Sequence, residues 1–348
     1  ASVASARMLL TGEIVPYVIL TTPKGIKICI EIENQTIAED SASCSVQKFS
    51  GADSDITNGI HLFATVRRSP RQKESKSTVN IHGGEGIGKV SLPGLDQKPG
   101  EWAINRVPRK MIAEGVESEL RKHGKKLNLD VEISIPGGEK LAAKTFNPKL
   151  GITGGLSVLG TSGIVEPMSE QAILDTIQLE MNVRKSQKIR RLLMVPGNYG
   201  SEFLKKEFGI SMDRAVHCSN FVYDSVQMAV KTGFKKMLFC GHIGKLIKVA
   251  GGIKNTHSKH GDRRMEILCE FTKQFVGKKD FPPLEEKLKS CISTEQAISV
   301  LDESTALRGK IMQKIAEKIR EQMEAWSGQK IKAEVILFTN EHGLLAKA

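Results

Sequence analysis

The feature that most constrains the fold of this chain is a change in hydrophobic pattern near residue 151. Beyond it, short apolar runs alternate with amphipathic helical segments, which is typical of a parallel sheet with crossover helices. Before it, short β-branched runs follow one another with turn residues between them, which indicates an antiparallel sheet covered by little helix. We therefore predict an α+β domain in residues 1–150 and an α/β domain with a mostly parallel sheet in residues 151–348.

The pattern also places individual elements. In the first domain we predict one helix at 108–124 and strands at 14–20, 26–33, 45–48, 59–66 and 129–135. In the second we predict helices at 169–183, 201–208, 220–232 and 305–326, alternating with strands at 156–159, 191–195, 215–218, 236–240 and 333–339. The basic stretch 67–76 has no periodicity, so we predict a solvated loop there.

Composition excludes several protein classes. With 40% hydrophobic and 26% charged residues among 348, the chain is neither a disordered tail nor a fibrous repeat. No apolar run is long enough to cross a bilayer, and residues 1–11 lack the features of a signal peptide, so we expect a cytoplasmic protein without a membrane partner. The six cysteines show no C-x-x-C spacing and are predicted to be reduced thiols.

The net charge of +12 favours an anionic partner. Nucleic-acid modules usually add aromatic platforms for bases, but the 2 Trp, 3 Tyr and 12 Phe are not interleaved with basic runs. We therefore expect no nucleic-acid partner. A small polycarboxylate or a phosphate compound fits the charge better.

Small and polar residues follow each predicted strand of the second domain. Ligands of such sheets bind outside the carboxyl ends of the strands, where loops expose backbone N–H groups. The residues at these ends predict a binding pocket, and they are Gly160, Thr161, Ser162, Gly163, Gly197, Asn198, Tyr199, Gly200, Ser219, Asn220, His242 and Lys245.

Two further segments carry unusual chemistry. The glycine run 83–89 matches much of a phosphate-binding P-loop, but Val90 replaces the required hydroxyl and Pro93 interrupts any following helix. The run could instead let a bulky ligand approach the backbone. Residues 241–264 hold three histidines and six cations against one acid, Asp262, which indicates an anion-binding surface or an acid–base site. Their spacing does not match a zinc site, so we predict no bound metal.

Several segments together resemble the CbiD family, in the family's order along the chain. The matching segments are residues 83–88, 93–95, 103–105, 108–109, 159–169, 196–200, 219–221, 241–246, 250–258, 262 and 264–266. In two respects the chain departs from the pattern. Arg106 stands where proline is common, and the Thr/Gly-rich turn that usually precedes the alanine-rich helix is not seen before Ala1.

The resemblance implies a function and a fold. CbiD proteins methylate carbon 1 of cobalt-precorrin-5B, giving cobalt-precorrin-6A in anaerobic cobalamin biosynthesis, with S-adenosyl-L-methionine as methyl donor. It implies an α+β domain followed by a Rossmann-like one, with cobalt only within the substrate. The expected partner is an anionic tetrapyrrole, whose carboxylates suit a basic protein. A homo-oligomer and transient contacts with neighbouring pathway enzymes stay open.

The resemblance leads us to expect a role for each candidate residue. S-adenosylmethionine is placed against Gly160, Thr161, Ser162, Gly163, Gly197, Asn198, Tyr199, Gly200, Ser219 and Asn220. The tetrapyrrole, held across the domain cleft, is placed against Gly84, Glu85, Gly86, Asn105, Arg109, Lys245, Asn255 and Arg264. The catalytic candidates are His242, His257 and Asp262, with Asp262 orienting His257 or an arginine. Rival interpretations are a nucleotide-binding phosphotransferase that uses the glycine run 83–89 and a basic nucleic-acid-binding module.

Overall fold

The computed structural model describes residues 1–51, 55–69, 77–166, 169–211, 214–302 and 305–348. The chain forms two compact units, Ala1–Ser169 and Glu170–Ala348. Both are mixtures of helices and sheets. None of the helices in these ranges is long and apolar enough to cross a bilayer.

The first unit is dominated by short strands. Its elements, in chain order, are α1 (Ser2–Thr11), β1 (Tyr17–Thr21), β2 (Lys27–Glu31), β3 (Glu33–Ile37), β4 (Ser41–Gln47), β5 (His61–Arg68), β6 (Val79–Gly83), β7 (Lys89–Val90), α2 (Arg106–Lys122), β8 (Leu129–Ser134), α3 (Gly138–Ala142) and β9 (Ile152–Thr153). A five-stranded sheet has the order β3-β4-β5-β8-β6, and β1-β2 and β7-β9 form separate antiparallel pairs. Within the larger sheet, β6 runs parallel to β8, so the sheet is mixed rather than purely antiparallel as predicted.

The helices α1 and α2 pack together and cover the first unit's sheet. Alanines and serines make α1 thin enough to approach the strands closely, and Ser5 donates a hydrogen bond of 2.7 Å to the carbonyl of Ala64 in β5. The carboxylate of Glu119 in α2 is almost fully buried and accepts two hydrogen bonds from the Arg7 guanidinium of α1, at 3.0 and 3.2 Å. This charged pair fixes the two helices relative to each other.

The boundary between the units lies after Ser169, not after residue 150 as predicted. The apolar run 156–159, which we predicted as the first strand of the second domain, belongs to the first unit. Leu156 and Val158 form single parallel bridges to Ile87 and Ile104. A short apolar run shows that a segment is buried, but it does not show against which sheet it packs.

The second unit alternates strands with helices. Its elements are α4 (Glu170–Ser186), β10 (Arg191–Val195), α5 (Asn198–Phe208), β11 (Ala215–His217), α6 (Val222–Thr232), β12 (Lys236–His242), α7 (Ile243–Ala250), α8 (Arg264–Thr272), α9 (Phe281–Lys289), α10 (Thr294–Leu301), α11 (Thr305–Trp326), β13 (Lys332–Thr339) and β14 (Gly343–Lys347). The five strands have the order β11-β10-β12-β13-β14. The first four run parallel to one another, and β14 pairs antiparallel with β13.

The sheet of the second unit is buried on both faces. Leu192 and Met194 of β10 join a large core with α4, α6, α7 and α11, whereas Leu193 and Val195 face α5 on the other side. The alternation follows from the two-residue period of a strand. Helices therefore leave the sheet on opposite faces on the two sides of β10.

Two further expectations differ from the structure. The predicted strand 26–33 is divided between β2 and β3, with Asn34 at a φ of 50° just after the break. In the basic stretch 67–76, Arg67 and Arg68 continue β5, and residues 70–76 lie outside the described residues. Pro167 and Met168 of the CbiD-like segment 159–169 also lie outside them.

Candidate functional site

The carboxyl ends of β10 and β12 bring several predicted residues to one edge of the second unit's sheet. Gly197 precedes α5, and Asn198, Tyr199 and Gly200 form its first turn, so backbone N–H groups are exposed there. A Cβ at Gly197 would meet no atom within 4 Å, whereas one at Gly200 would lie 3.0 Å from the carbonyl oxygen of Cys240. Gly200 thus allows α5 to approach β12, and Gly197 faces open space.

The end of β11 lies against the loop that follows α7. Ser219 has a φ of 52°, and the carbonyl of Asn220 accepts a hydrogen bond of 2.9 Å from the backbone N–H of Thr256. Thr256 is buried although it is polar. The structure therefore brings Asn220 and the segment of Asn255 together.

His242, the last residue of β12, is held by two hydrogen bonds. Its Nδ1 accepts from the backbone N–H of Gly244 at 3.0 Å and caps α7, and its Nε2 lies 2.8 Å from Oε1 of Glu295 in α10. This pattern makes Nε2 the protonated nitrogen and uses the lone pair of Nδ1. The ring is firmly oriented, but neither nitrogen is left to act as a base, which weakens the predicted catalytic role.

Three of the six cations in the basic segment 241–264 pair with acids of the same unit. Arg264 forms a two-pronged ion pair with Asp262, which lowers the pKa of that carboxyl, while Lys259 pairs with Glu170 and Arg263 with Glu270. Asp262 therefore orients an arginine rather than His257. This pairing also occupies Arg264, predicted as a substrate ligand.

His257 caps a single helical turn at Ser258–His260. Its Nδ1 accepts a hydrogen bond of 3.0 Å from the backbone N–H of Lys259, and its exposed ring presents Nε2 outward. The ammonium of Lys248 is buried and donates to the carbonyl of Gly261 at 3.1 Å. A buried cation thus anchors the loop that carries the exposed histidine.

Lys245 lies half-buried in the first turns of α7. Burial lowers the pKa of its ammonium, and the neighbouring Cys218 thiol, itself buried, has a pKa raised to about 12. No carboxylate pairs with Lys245 in the part of the chain that the structure describes. Of the predicted cations, it is therefore the one best placed to receive an anionic group.

The glycine run of the first unit is explained by its own packing. A Cβ at Gly86 would lie 1.9 Å from the carbonyl oxygen of Ile135, and one at Gly83 would lie 2.5 Å from the ring of Trp102. Lys89 lies over that ring at 4.3 Å, and it begins the strand β7 rather than a helix. The P-loop interpretation fails on these contacts. Gly84 and Glu85 are the less buried part of the run.

The guanidinium of Arg109 forms hydrogen bonds with the backbone of the first unit. It donates to the carbonyls of Ile104, Ile81 and Trp102 at 2.8, 3.2 and 3.3 Å. Asn105 caps α2 through its carbonyl, which accepts from the N–H of Arg109 at 3.0 Å. These contacts give Arg109 a structural task, whereas its contact with substrate stays a prediction.

The segment of Gly160, Thr161, Ser162 and Gly163 does not follow a strand of the second unit's sheet. It belongs to the first unit, where Ser162 accepts a hydrogen bond of 3.3 Å from the N–H of Lys24. Gly160 and Gly163 have φ values of 144° and 73°, so both adopt backbone conformations that favour glycine. The run before them is not a strand of the second unit's sheet, so the strand-end argument does not apply to them, and their contact with S-adenosylmethionine stays a prediction.

Sequence reasoning missed Glu295 and His342. Glu295 lies 53 residues from His242, and no local pattern links the two. His342 could have been found, because Asn340, Glu341 and His342 follow the predicted strand 333–339 and so lie at the same sheet edge. The strand-end argument covered the earlier strands of the second domain but not this one.

Comparison with known proteins agrees with the sequence resemblance. A family model described as CbiD matches residues 1–167, and one described as CbiD, C-terminal domain, matches residues 255–348. A relative from Ruminiclostridium cellulolyticum is 40% identical, covering 97% of this chain and 85% of the relative. Another from Thermoanaerobacter sp. is 38% identical, covering 100% and 92%. Both are named cobalt-precorrin-5B C(1)-methyltransferase and are thus methyltransferase enzymes.

A solved structure can be compared as well. The crystal structure of a cobalamin biosynthesis protein (cbiD) from Archaeoglobus fulgidus is 27% identical and covers 76% of this chain and 80% of that one, with a TM-score of 0.39. The family rests on the sequence matches, which extend over nearly the whole chain at 38–40% identity. This chain belongs to the CbiD family.

Proposed function

We propose that this protein is an S-adenosylmethionine-dependent methyltransferase that methylates carbon 1 of cobalt-precorrin-5B in cobalamin biosynthesis, in the cytoplasm. The observation that carries the proposal is the 40% identity to a relative of that name over 97% of the chain. The exposed N–H groups at the end of β10 and the unpaired cation of Lys245 support it, because the methyl donor and the corrinoid both carry carboxylates.

The strand order of the second unit supports a Rossmann-like interpretation, and we propose that the methyl donor binds there. Numbered along the chain, β11-β10-β12-β13-β14 is the order 2-1-3-4-5. In sheets of this order, ligands bind where the connections leave in opposite directions, between the first and third strands. Here that point lies between β10, which is followed by Gly197, and β12, which ends at His242. We propose this crevice as the S-adenosylmethionine site.

The open space beside Gly197 fits a ligand that approaches the backbone closely. Its φ of −177° is ordinary extended backbone, so conformational strain does not explain the glycine. Its missing Cβ is not filled by another part of the protein either. Asn198 and Tyr199 follow at the start of α5, where N–H groups and the helix dipole favour an anionic group such as the carboxylate of the donor.

We propose that Lys245 and the loop around Asn255 and His257 face the corrinoid. When bound, S-adenosylmethionine supplies an electrophilic methyl group on a sulfonium sulfur. The protein has to align the ring carbon with that methyl and exclude water. Lys245 can neutralise a corrinoid carboxylate, because its own charge has no acidic partner among the described residues. His257 presents Nε2, which could take or hold a proton of the macrocycle.

The cofactor site can be tested by replacing Gly197 in the folded protein. Gly197→Val fills space that no atom of the chain occupies, so it should weaken binding of S-adenosylhomocysteine at least 10-fold, or about 1.4 kcal/mol. Gly309→Val in α11 is the matched control, since a Cβ there also meets no atom within 4 Å. Isothermal titration calorimetry measures both. If the two variants bind with equal affinity, the proposal that the site lies at the end of β10 is wrong.

The activity itself is tested by transfer of a radiolabelled methyl group from S-adenosylmethionine to the cobalt corrinoid. Product should form with the wild type and fall with Gly197→Val at limiting donor, while Gly309→Val keeps the wild-type rate. Binding of ATP with no binding of S-adenosylhomocysteine would favour the phosphotransferase alternative instead.

A further inference from the structure

Three side chains that could bind a metal ion meet near the carboxyl end of β13. Glu295 lies in the first turn of α10, and Glu341 and His342 lie in the turn between β13 and β14. One ligand atom from each lies within 4.8 Å of the others. The residues come from two distant parts of the chain, so the fold, and not a local sequence pattern, assembles them.

The ring of His342 is oriented as metal-binding histidines usually are. Its Nδ1 lies 2.9 Å from Oδ2 of Asp302, which in turn pairs with Arg308. When Nδ1–H donates to this carboxylate, Nε2 keeps its lone pair. A carboxylate behind the imidazole fixes its tautomer and makes it a better ligand. Nε2 points toward Glu295, with Ser299 Oγ at 3.3 Å.

Glu295 has one carboxylate oxygen that the protein does not satisfy. Oε1 is 2.8 Å from His242 Nε2 and accepts from the N–H of Asn340 at 3.1 Å. Oε2 is buried and has no hydrogen-bond partner among the described residues. A buried carboxylate oxygen without a partner is costly, so it calls for a cation or a donor.

The spacing of Glu295 Oε2 and His342 Nε2 suits one ion between them. Oε2 of Glu295 and Nε2 of His342 are 4.0 Å apart, too far for a hydrogen bond. Two donors that each lie about 2.0–2.2 Å from a metal are separated by at most about 4.4 Å. A single ion can therefore reach both atoms, and the exposed Glu341 can supply a third.

We propose that Glu295, Glu341 and His342 bind a divalent transition-metal ion of the Zn²⁺ class. One imidazole and two carboxylates suit zinc, whereas Mg²⁺ and Ca²⁺ prefer oxygen ligands alone. The ion neutralises two carboxylates and occupies the lone pair of Glu295 Oε2. The cobalt of the substrate is held by the macrocycle and is a different metal. This site does not rest on the proposed methyl transfer.

The ion has a positional consequence for the neighbouring sheet edge. The ion joins the β13–β14 turn to α10. It also fixes the orientation of Glu295, whose other carboxylate oxygen contacts His242. His242 caps α7, in which Lys245 lies. Metal binding thus stabilises the edge of the sheet at which β12 ends.

The test uses the full-length chain after removal of metal with a chelator. Titration calorimetry with Zn²⁺ should show one tight equivalent for the wild type, and none for His342→Ala. Glu341→Gln and Asp302→Asn should each weaken binding about 10–100-fold, the range for lost metal-site partners. Since Glu341 is exposed, its substitution leaves the fold intact. His260→Ala, which changes an exposed histidine outside the cluster, should bind as the wild type does.

A second measurement separates binding from misfolding. One equivalent of Zn²⁺ should raise the Tm of the wild type and of His260→Ala, and it should raise that of Glu341→Gln by less. The proposal is overturned if the wild type does not bind Zn²⁺. It is equally overturned if His342→Ala and Glu341→Gln retain wild-type affinity, or if His260→Ala loses the site.

Discussion

Replacing Gly86 by alanine tests whether the glycine run of the first unit is there for packing or for a ligand. The new Cβ would lie 1.9 Å from the carbonyl oxygen of Ile135 and 3.0 Å from the N of Gly138. The residue also has a φ of 71°, which costs an L-residue about 1–2 kcal/mol. Relieving the overlap by moving backbone adds about 1–3 kcal/mol. Gly86→Ala should therefore lower the free energy of unfolding by about 2–5 kcal/mol.

Gly137→Ala supplies the matched control. Its φ of 75° gives the same backbone strain, but a Cβ there meets no atom within 4 Å. We expect a loss of about 1–2 kcal/mol from strain alone. The difference between the two variants isolates the cost of the overlap with Ile135.

Urea unfolding followed by tryptophan fluorescence measures both variants in the first unit. In a Trp326→Phe background the signal comes from Trp102, which Gly83 approaches closely. If Gly86→Ala and Gly137→Ala shift the midpoint equally, the close approach to Ile135 is not stabilising and the packing argument is refuted. The glycine run would then again need a ligand to explain it.

Three other perturbations test contacts within each unit. Arg7→Met should cost about 1–3 kcal/mol, because it removes two hydrogen bonds to the buried Glu119, and an unchanged urea midpoint would contradict the pairing. Burial raises the pKa of Glu119, but hydrogen bonds from Arg7 and Lys122 outweigh it and hold the pKa below its usual 4.5. Its contribution is therefore present above that value and lost as the pH falls through the folded pKa. Glu119→Gln should flatten the loss of stability as the pH falls below 4.5. Lys248→Met removes the ammonium beneath the carbonyls of the 256–261 loop, so limited proteolysis should cut this loop faster, and an unchanged cleavage rate would rule out anchoring.

The parallel sheet of the second unit could be predicted closely from the sequence. The predicted strand 191–195 coincides with β10, and 333–339 differs from β13 by a single residue. These strands are buried on both faces, so they appear as nearly continuous apolar runs between polar ends. When a strand is buried on both faces, its apolar run alone shows where the strand begins and ends.

The sequence-based predictions failed where burial of a segment does not show which other segment it contacts. The run 156–159 is as apolar as a strand of the second sheet, but it bridges to Ile87 and Ile104 of the first unit. The glycines near residue 86 were interpreted as space for a ligand, although the protein's own backbone fills that space. Glu295 contacts His242 across 53 residues, so only the folded chain brings them together. Contacts between distant residues depend on topology, which periodicity does not encode.

The position of β13 inside the sheet has a kinetic consequence. This strand lies between β12 and β14, and Lys236 pairs with Lys332 across five intervening helices. Chain entropy has to be lost over that long loop before the pairing returns any stability, which slows folding. The β4–β5 pair of the first unit closes over a much shorter loop. Refolding from urea should therefore show a fast phase from the first unit and a slower phase from the second, during which the apolar strands β10 and β12 are exposed to aggregation.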